Sequence, residues 1–474
     1  MLVGSLVGAL GAGLVAATGR ATLSLAVVGA AIVAGVTIVG RRHLAPVLWA
    51  GVAFTAPLQG VRVAPILAVS DVLLVAAVVT ILPDALRGWR RVVPPGVLIS
   101  FCSLIAAGII GTFFAPDVGA SLVNLFKIVL AAAGSVVAIA LWDPGEARLR
   151  QFAWLWFAGA SVSAAWATVT PRSFVGRAIG FTTHPNHFGL VCVLGVGLGL
   201  GLALSSSGPA RLAAVAGVIL QISGTGLSGS RSALIALVLT VGVITVLTRR
   251  FRLLIAVVIV LILGAMVVIV GLVHIPDSNA LSRIGGGGGS AASDEGRRVL
   301  AAEAIASITR HPLGEGFEFA QAAHNIYVQV LVVGGAMALV SFLLVSGLLL
   351  RAGLRAASAA RRRREGPVLA GLTAGYVGYL GSGAFENILW DRYLWTYISL
   401  LVVLAASTRS APAGDEGVGP AWPPVQPREQ SKEGGVSLPA QRGASGQLPS
   451  REPGEAASEF VSQRLFGARG DVDR

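Results

Sequence analysis

Apolar runs alternate with short polar breaks along most of this chain, and their length is the first informative feature. A transmembrane helix needs about 20 mostly apolar residues. Candidate spans fall near 2–19, 22–40, 44–59, 64–82, 96–114, 120–142, 151–170, 187–206, 210–224, 230–248, 252–274, 325–350, 367–386 and 391–407. The stretches 44–59 and 210–224 are short enough to be re-entrant or merged. The pattern therefore predicts an all-α polytopic membrane domain over 1–409, with about 12–14 transmembrane helices. Residues 2–19 lack a basic leading region and a clear cleavage site, so they read as the first span and not as a signal peptide.

Two hydrophilic regions interrupt this rhythm. The first, 275–324, is far longer than ordinary connections, and such loops tend to be functional or disordered. It contains the run Gly285 to Gly289 and then a helical pattern over 294–309. There Val299, Leu300, Ala304 and Ile305 are expected to share a face with Ile308. The second, 410–474, is rich in Pro, Gly, Ser and charge, with Trp422 to Pro427 favouring polyproline II. It reads as a disordered cytoplasmic tail.

Composition excludes the soluble alternative. Apolar residues make up 54% of 474 residues and charged residues 12%, with a mean hydropathy of +0.78. A soluble chain of this length would need about twice that share of charge to cover its cores. The 61 glycines suit close helix packing in lipid. The two cysteines, Cys102 and Cys192, lie in apolar stretches and imply neither a disulfide framework nor a thiolate metal site.

Net charge is +13, and its placement matters more than its size. The tail from 410 onward holds 7 basic and 9 acidic residues, against 29 and 14 in the first 409. One set of connections carries 17 arginines: Arg41, Arg42, Arg87, Arg90, Arg91, Arg148, Arg150, Arg211, Arg249, Arg250, Arg252, Arg351, Arg355 and Arg361 to Arg364. The alternate set carries 10, among them Arg62, Arg177, Arg231, Arg297, Arg298, Arg310 and Arg392. The positive-inside rule puts the first set in the cytoplasm, with both termini inside and the loops 171–186 and 275–324 outside. Positive charge is then topology, and no nucleic-acid partner is expected.

Several polar residues are left over. Asp71 falls about seven residues into the fourth span, and Lys127 lies near the outer end of the sixth. Charge in a span is costly and marks either function or an interhelical pair. Arg231 follows the small-residue run Gly224 to Ser230. Its glycines form a weak G-x-G-x-x-G, but a helix start with exposed amides and an arginine favours an anion. The bland reading is an arginine snorkelling to water. His324 opens the twelfth span and is either a general base or a capping histidine. His184 and His187 are three apart, with no third ligand nearby for zinc. No P-loop or metal–nucleotide-sugar motif occurs, and no cofactor is expected.

In combination these stretches resemble the O-antigen ligase and O-antigen polymerase superfamily of bacterial envelope glycosyltransferases. Four blocks carry the likeness over about residues 60–405: Ala68 to Leu74 with Asp71; Arg177 to Gly180 followed by His184 to Gly189; Ser228 to Leu234; and Arg297, Pro312 to Gly316 and His324 to Gln329. The resemblance implies an all-helical, GT-C-like fold. It implies transfer of a glycan from undecaprenyl diphosphate to an acceptor hydroxyl on the outer face of the cytoplasmic membrane, without metal and with inversion. The acceptor would be a glycan, lipid or protein. Arg231 and Arg297 match arginines that bind the diphosphate, and His324 matches the base acting on the acceptor. Arg177 matches a further arginine of the cavity. Arg298, Asn325, Asn186, Asp71 and Lys127 are candidate substrate contacts. The chain departs at Ala301, where an aromatic residue is usual, and at Val332 to Gly335, where an acidic residue followed by glycine is usual. A lipid-linked glycan transporter is the competing expectation, although no inverted repeat supports it.

Overall fold

The computed structural model describes residues 44–64, 67–87, 93–142, 144–170, 176–252, 290–317, 324–361, 363–389 and 391–410, together with Ile255 and Val257. The expected spans 2–19, 22–40 and 252–274, the glycine run and the tail beyond 410 lie outside these residues.

Among the described residues the fold is all-helical apart from one small ribbon. In chain order the helices are α1 (Leu44–Leu58), α2 (Val69–Arg87), α3 (Pro95–Thr112), α4 (Val118–Val129), α5 (Ser135–Trp142), α6 (Gly145–Val169), α7 (Pro185–Ser205), α8 (Gly208–Leu227), α9 (Arg231–Thr248), α10 (Ser290–Arg310), α11 (Ile326–Ala359), α12 (Gly366–Ser382) and α13 (Arg392–Ser410). Among the described residues six helices are long and apolar enough to cross a membrane: α3, α6, α7, α8, α9 and α11. Shorter apolar stretches occur in α1, α2, α4 and α13. The chain is a multi-pass membrane protein.

Exposure is inverted, as a bilayer requires. On α8, Leu212, Val215 and Ile219 face outward at helical spacing, with Leu212 72% exposed. Ala214, Gly217, Val218 and Gln221 form the buried face of the same helix. In water such apolar stripes would be aggregation surfaces; in lipid they are neutral. The helix α7 is buried over nearly its whole length and forms the axis of the bundle. It packs on α12 through Gly197 and Gly371. A Cβ at 197 would stand 2.7 Å from the Gly371 carbonyl oxygen, and one at 371 would stand 2.2 Å from that of Gly197. Only glycine allows the two backbones this approach.

The structure alters four expected elements. The stretch 64–82 is not helical from its start. Arg62–Ala64 (β1) pairs antiparallel with Leu67–Ala68 (β2), and the helix begins at Val69. Asp71 therefore sits in the first turn of α2 and not seven residues deep. The span 120–142 is broken by a π-turn at Leu130–Gly134 between α4 and α5. In α10 the buried contact is made by Ala304 and Ile308 against Val332 and Val328, while Val299 and Ile305 are exposed. Finally, α11 runs on to Ala359 but kinks where Gly334 and Gly335 leave helical geometry.

The up-and-down course of the helices sorts the polar connections onto two ends. At one end, Arg150 and Arg364 both donate to the Ser205 carbonyl at the close of α7. At the other, Gly60 bonds to Phe181, Ala178 to Leu227, and Ile326 to Gly383. Arg177, Arg231 and Arg297 make their contacts at this second end.

Candidate functional site

Local sequence builds the second end from helix caps. Ser230 caps α9, its hydroxyl accepting the Ala233 N–H at 3.3 Å, and its own N–H donates to Ser228 Oγ at 3.1 Å. The Ser228, Gly229 and Ser230 amides of the small-residue run are used inside the turn, on Gly224, Gly226 and Ser228. His184 caps α7 through Nδ1, which accepts the Asn186 N–H at 3.2 Å. Asn325 caps α11, its oxygen accepting from Tyr327 N–H at 2.9 Å and Val328 N–H at 3.1 Å. Its amide donates to the Ala384 carbonyl, so the Asn325 side chain is occupied by holding α11 against the end of α12.

The kink in α11 has a partner. Leaving helical geometry at Gly334 and Gly335 releases carbonyls from the helical ladder, and the Val332 and Val333 oxygens accept the Glu315 and Gly316 N–H groups at 2.7 and 3.0 Å. Phe317 is then fully buried, its N–H on Ser121 Oγ at 2.8 Å and its carbonyl near Asn124 Nδ2. The block Pro312 to Gly316 and the departure at Val332 to Gly335 are two halves of one docking joint.

Between these elements lies Glu386, in the connection between α12 and α13 and buried. Its Oε1 accepts from Asn186 Nδ2 at 2.5 Å, from Ser232 Oγ at 3.2 Å and from the Arg297 guanidinium at 3.2 Å. Arg177 joins the cluster through Asn186, donating to Oδ1 at 2.6 Å and to the Ser228 carbonyl at 2.8 Å. Arg231 pairs with Asp294 of α10. Arg297 lies three residues along the same helix. By contrast Arg298 is 80% exposed and pairs only loosely with Glu295. Of the two adjacent arginines, the structure turns Arg297 inward.

His324 stands at the edge of this cluster with a left-handed backbone, φ 45°. Such a conformation is uncommon for a residue with a side chain and recurs at functional sites. Its Nδ1 is buried without a hydrogen-bond partner among the described residues. Burial pushes its imidazole below the usual histidine range; Glu386 opposes the shift and Arg297 adds to it. The same causes hold His184 down to about 3, burial first and then the charges of His187, Arg177, His324 and Arg297.

A second polar group continues behind the first. Arg392, at the start of α13, makes a two-pronged pair with Asp71, at 2.5 and 2.8 Å, and Asp71 also accepts the Ala68 N–H. Asp71 is therefore held in an interhelical ion pair. Lys127 bonds to Asn124 on its own helix at 3.1 Å, nine residues from the start of α4. His187 Nδ1 lies 3.3 Å from Asp391 and 3.2 Å from Gln59. His184 and His187 meet edge to face, with ring centroids 5.7 Å apart. No group of three His, Cys, Asp or Glu side chains able to hold a metal occurs among the described residues.

The fold thus brings Arg177, Asn186, Arg297 and His324 around one carboxylate, with Arg231 joined to them through α10. It keeps Asp71 and Lys127 apart from that centre and leaves Arg298 outside. Sequence reasoning missed Glu386, Asp294 and Asp391. The available signal was a carboxylate at the end of an apolar run, since Glu386 closes the expected span 367–386. Neither a known family nor a curated protein sequence matches the chain. Among solved structures, one chain comes from work on the structural coordination of polymerization and crosslinking by a peptidoglycan synthase complex. It is similar over 67% of this chain and 98% of its own, at 18% sequence identity and a TM-score of 0.41.

Proposed function

We propose that this protein is a membrane glycosyltransferase of the O-antigen ligase or polymerase type. It takes a glycan from undecaprenyl diphosphate and passes it to an acceptor hydroxyl at the outer face of the cytoplasmic membrane. The observation that carries the reading is the gathering of Arg177, Arg297 and His324 around buried Glu386 at one end of the bundle, with Arg231 joined to them through Asp294 of α10.

The chemistry follows from these groups. The acceptor oxygen attacks the anomeric carbon while the bond from that carbon to the diphosphate oxygen breaks. The electron pair stays with the departing diphosphate, whose developing charge Arg231 and Arg297 stabilise. The acceptor proton passes to His324, which its lowered basicity keeps neutral near pH 7 and so able to accept it. Direct displacement inverts the anomeric centre. Glu386 is a positioning residue: it keeps Arg297 at the site before the donor binds and fixes Asn186, without reaching the reacting atoms.

Purified protein in proteoliposomes with an undecaprenyl-linked glycan and an acceptor tests this. His324→Ala and Arg231→Ala should each lower glycan transfer by about 10²–10⁴-fold, as loss of a general base or a charge stabiliser does. If transfer persists in His324→Ala while movement of the lipid-linked glycan fails, the protein is a transporter. In cells, depletion should accumulate the undecaprenyl-linked glycan, and the missing product identifies the acceptor.

A further inference from the structure

Helix α10 is attached differently at its two ends. Toward its C-terminus, Ala304 and Ile308 pack into the apolar surface of Val328 and Val332. The chain after it is locked into the α11 kink by the Glu315 and Gly316 amides. Toward its N-terminus the attachment is ionic. Asp294 reaches Arg231 at the start of α9, and Arg297 reaches Glu386. Residues three apart share a helix face, so one face of α10 presents an acid to a fixed base and a base to a fixed acid. The adjoining, outward face carries Glu295 and Arg298, 68% and 80% exposed and paired with each other. Nothing crowds the backbone at Gly296.

We infer that α10 is an ionic latch over the anion site, in which Asp294 competes with the donor's diphosphate for Arg231. This rests on the reading of Arg231 as a diphosphate ligand. A phosphate oxygen and the Asp294 carboxylate are alike in charge and geometry toward a guanidinium, and both cannot take the same donors. Asp294 and Arg231 are partly exposed, 39% and 28%, so the pair is worth only a factor of about two to five and yields to a doubly charged phosphate. Exchange at Arg231 removes one of the two ionic contacts at the N-terminal end of α10 while the apolar end holds, so the helix pivots about its C-terminal docking. Arg297 then leaves Glu386 and turns to the same diphosphate. Donor binding and delivery of the second arginine become one event.

Full-length protein in nanodiscs with inorganic pyrophosphate tests this. Asp294→Asn should bind pyrophosphate about two- to fivefold more tightly than the parent, and Arg231→Gln should lose binding. Amide hydrogen exchange over 294–303 should quicken in the parent on adding pyrophosphate and be fast from the outset in Asp294→Asn. Equal or weaker binding by Asp294→Asn, with unchanged exchange, overturns the latch while loss of binding in Arg231→Gln leaves the anion site standing. If Arg231→Gln binds as well as the parent, or no form binds, both readings fall.

Discussion

His324 shows how one residue can combine several local signals. Its left-handed backbone, its buried and unpartnered Nδ1 and its lowered basicity all coincide at the edge of the charged cluster. In the proposed role of base it must be neutral, so transfer should rise with pH through its folded pKa and be flat above. Because that pKa is lowered, the acid limb should lie below the ordinary histidine value of about 6.5. Glu386 raises the His324 pKa, so Glu386→Gln should move the limb to still lower pH while reducing the rate; a limb that moves upward would contradict this electrostatic role. His184 makes a separate prediction about stability. Its imidazole is held down to about 3 when folded, against 6.5 for the free side chain. The unfolded chain then binds more protons between these values. Stability is full above about pH 6.5 and drains away as pH falls toward 3. His184→Asn keeps a capping acceptor and should flatten the melting temperature over this window.

At the scale of elements, the joint between the α11 kink and the Pro312 to Gly316 loop positions both ends of the site. Gly335 has φ 62°, and a Cβ there would lie 2.1 Å from the Pro312 carbonyl oxygen. Gly335→Ala should therefore undock the loop, lowering the melting temperature and the transfer rate together. The Asp71–Arg392 pair acts between elements too, tying the first turn of α2 to the start of α13. Breaking a buried pair from one side leaves a stranded charge and costs about 3–5 kcal/mol. Arg392→Met should be strongly destabilising in a thermal melt, and Asp71→Leu with Arg392→Met should recover much of the loss. If the double variant transfers glycan normally, Asp71 is a structural residue. Helix existence was legible because it depends on the length of apolar runs. The ribbon at 62–68 and the kink at 334–335 were not, because both are set by partners distant in sequence.

At the scale of the molecule, the alternation of loops assigns the arginines to two sides of a membrane, and this assignment is open to a direct test. Cysteines placed at exposed Arg298 and at Arg361 in a cysteine-free background should react from opposite sides of the membrane with an impermeant thiol reagent. Labelling of Arg298→Cys from the outside is expected in intact cells, and labelling only after permeabilisation would place the site in the cytoplasm. The same two-ended sorting explains why the proposed chemistry can use a lipid-borne substrate. The charged cluster sits where the helices end, and apolar stripes such as Leu212, Val215 and Ile219 run alongside the bundle below it.

The amino-acid sequence by itself determined the membrane architecture, the division of charge and the neighbourhoods that hold candidate chemistry. These follow from the length of apolar runs and from charge counts, which need no knowledge of contacts. Only the tertiary structure decided that Arg297 and not Arg298 faces inward, that Asp71 belongs to Arg392, and that Asn325 holds a helix start. It also decided that Glu386 is the common acceptor, 200 residues from Asn186 and 89 from Arg297. A buried carboxylate chooses its partners by which helix ends are packed against it. That choice is made by backbone approach at places such as Gly197 and Gly371, where no charge appears in the pattern at all.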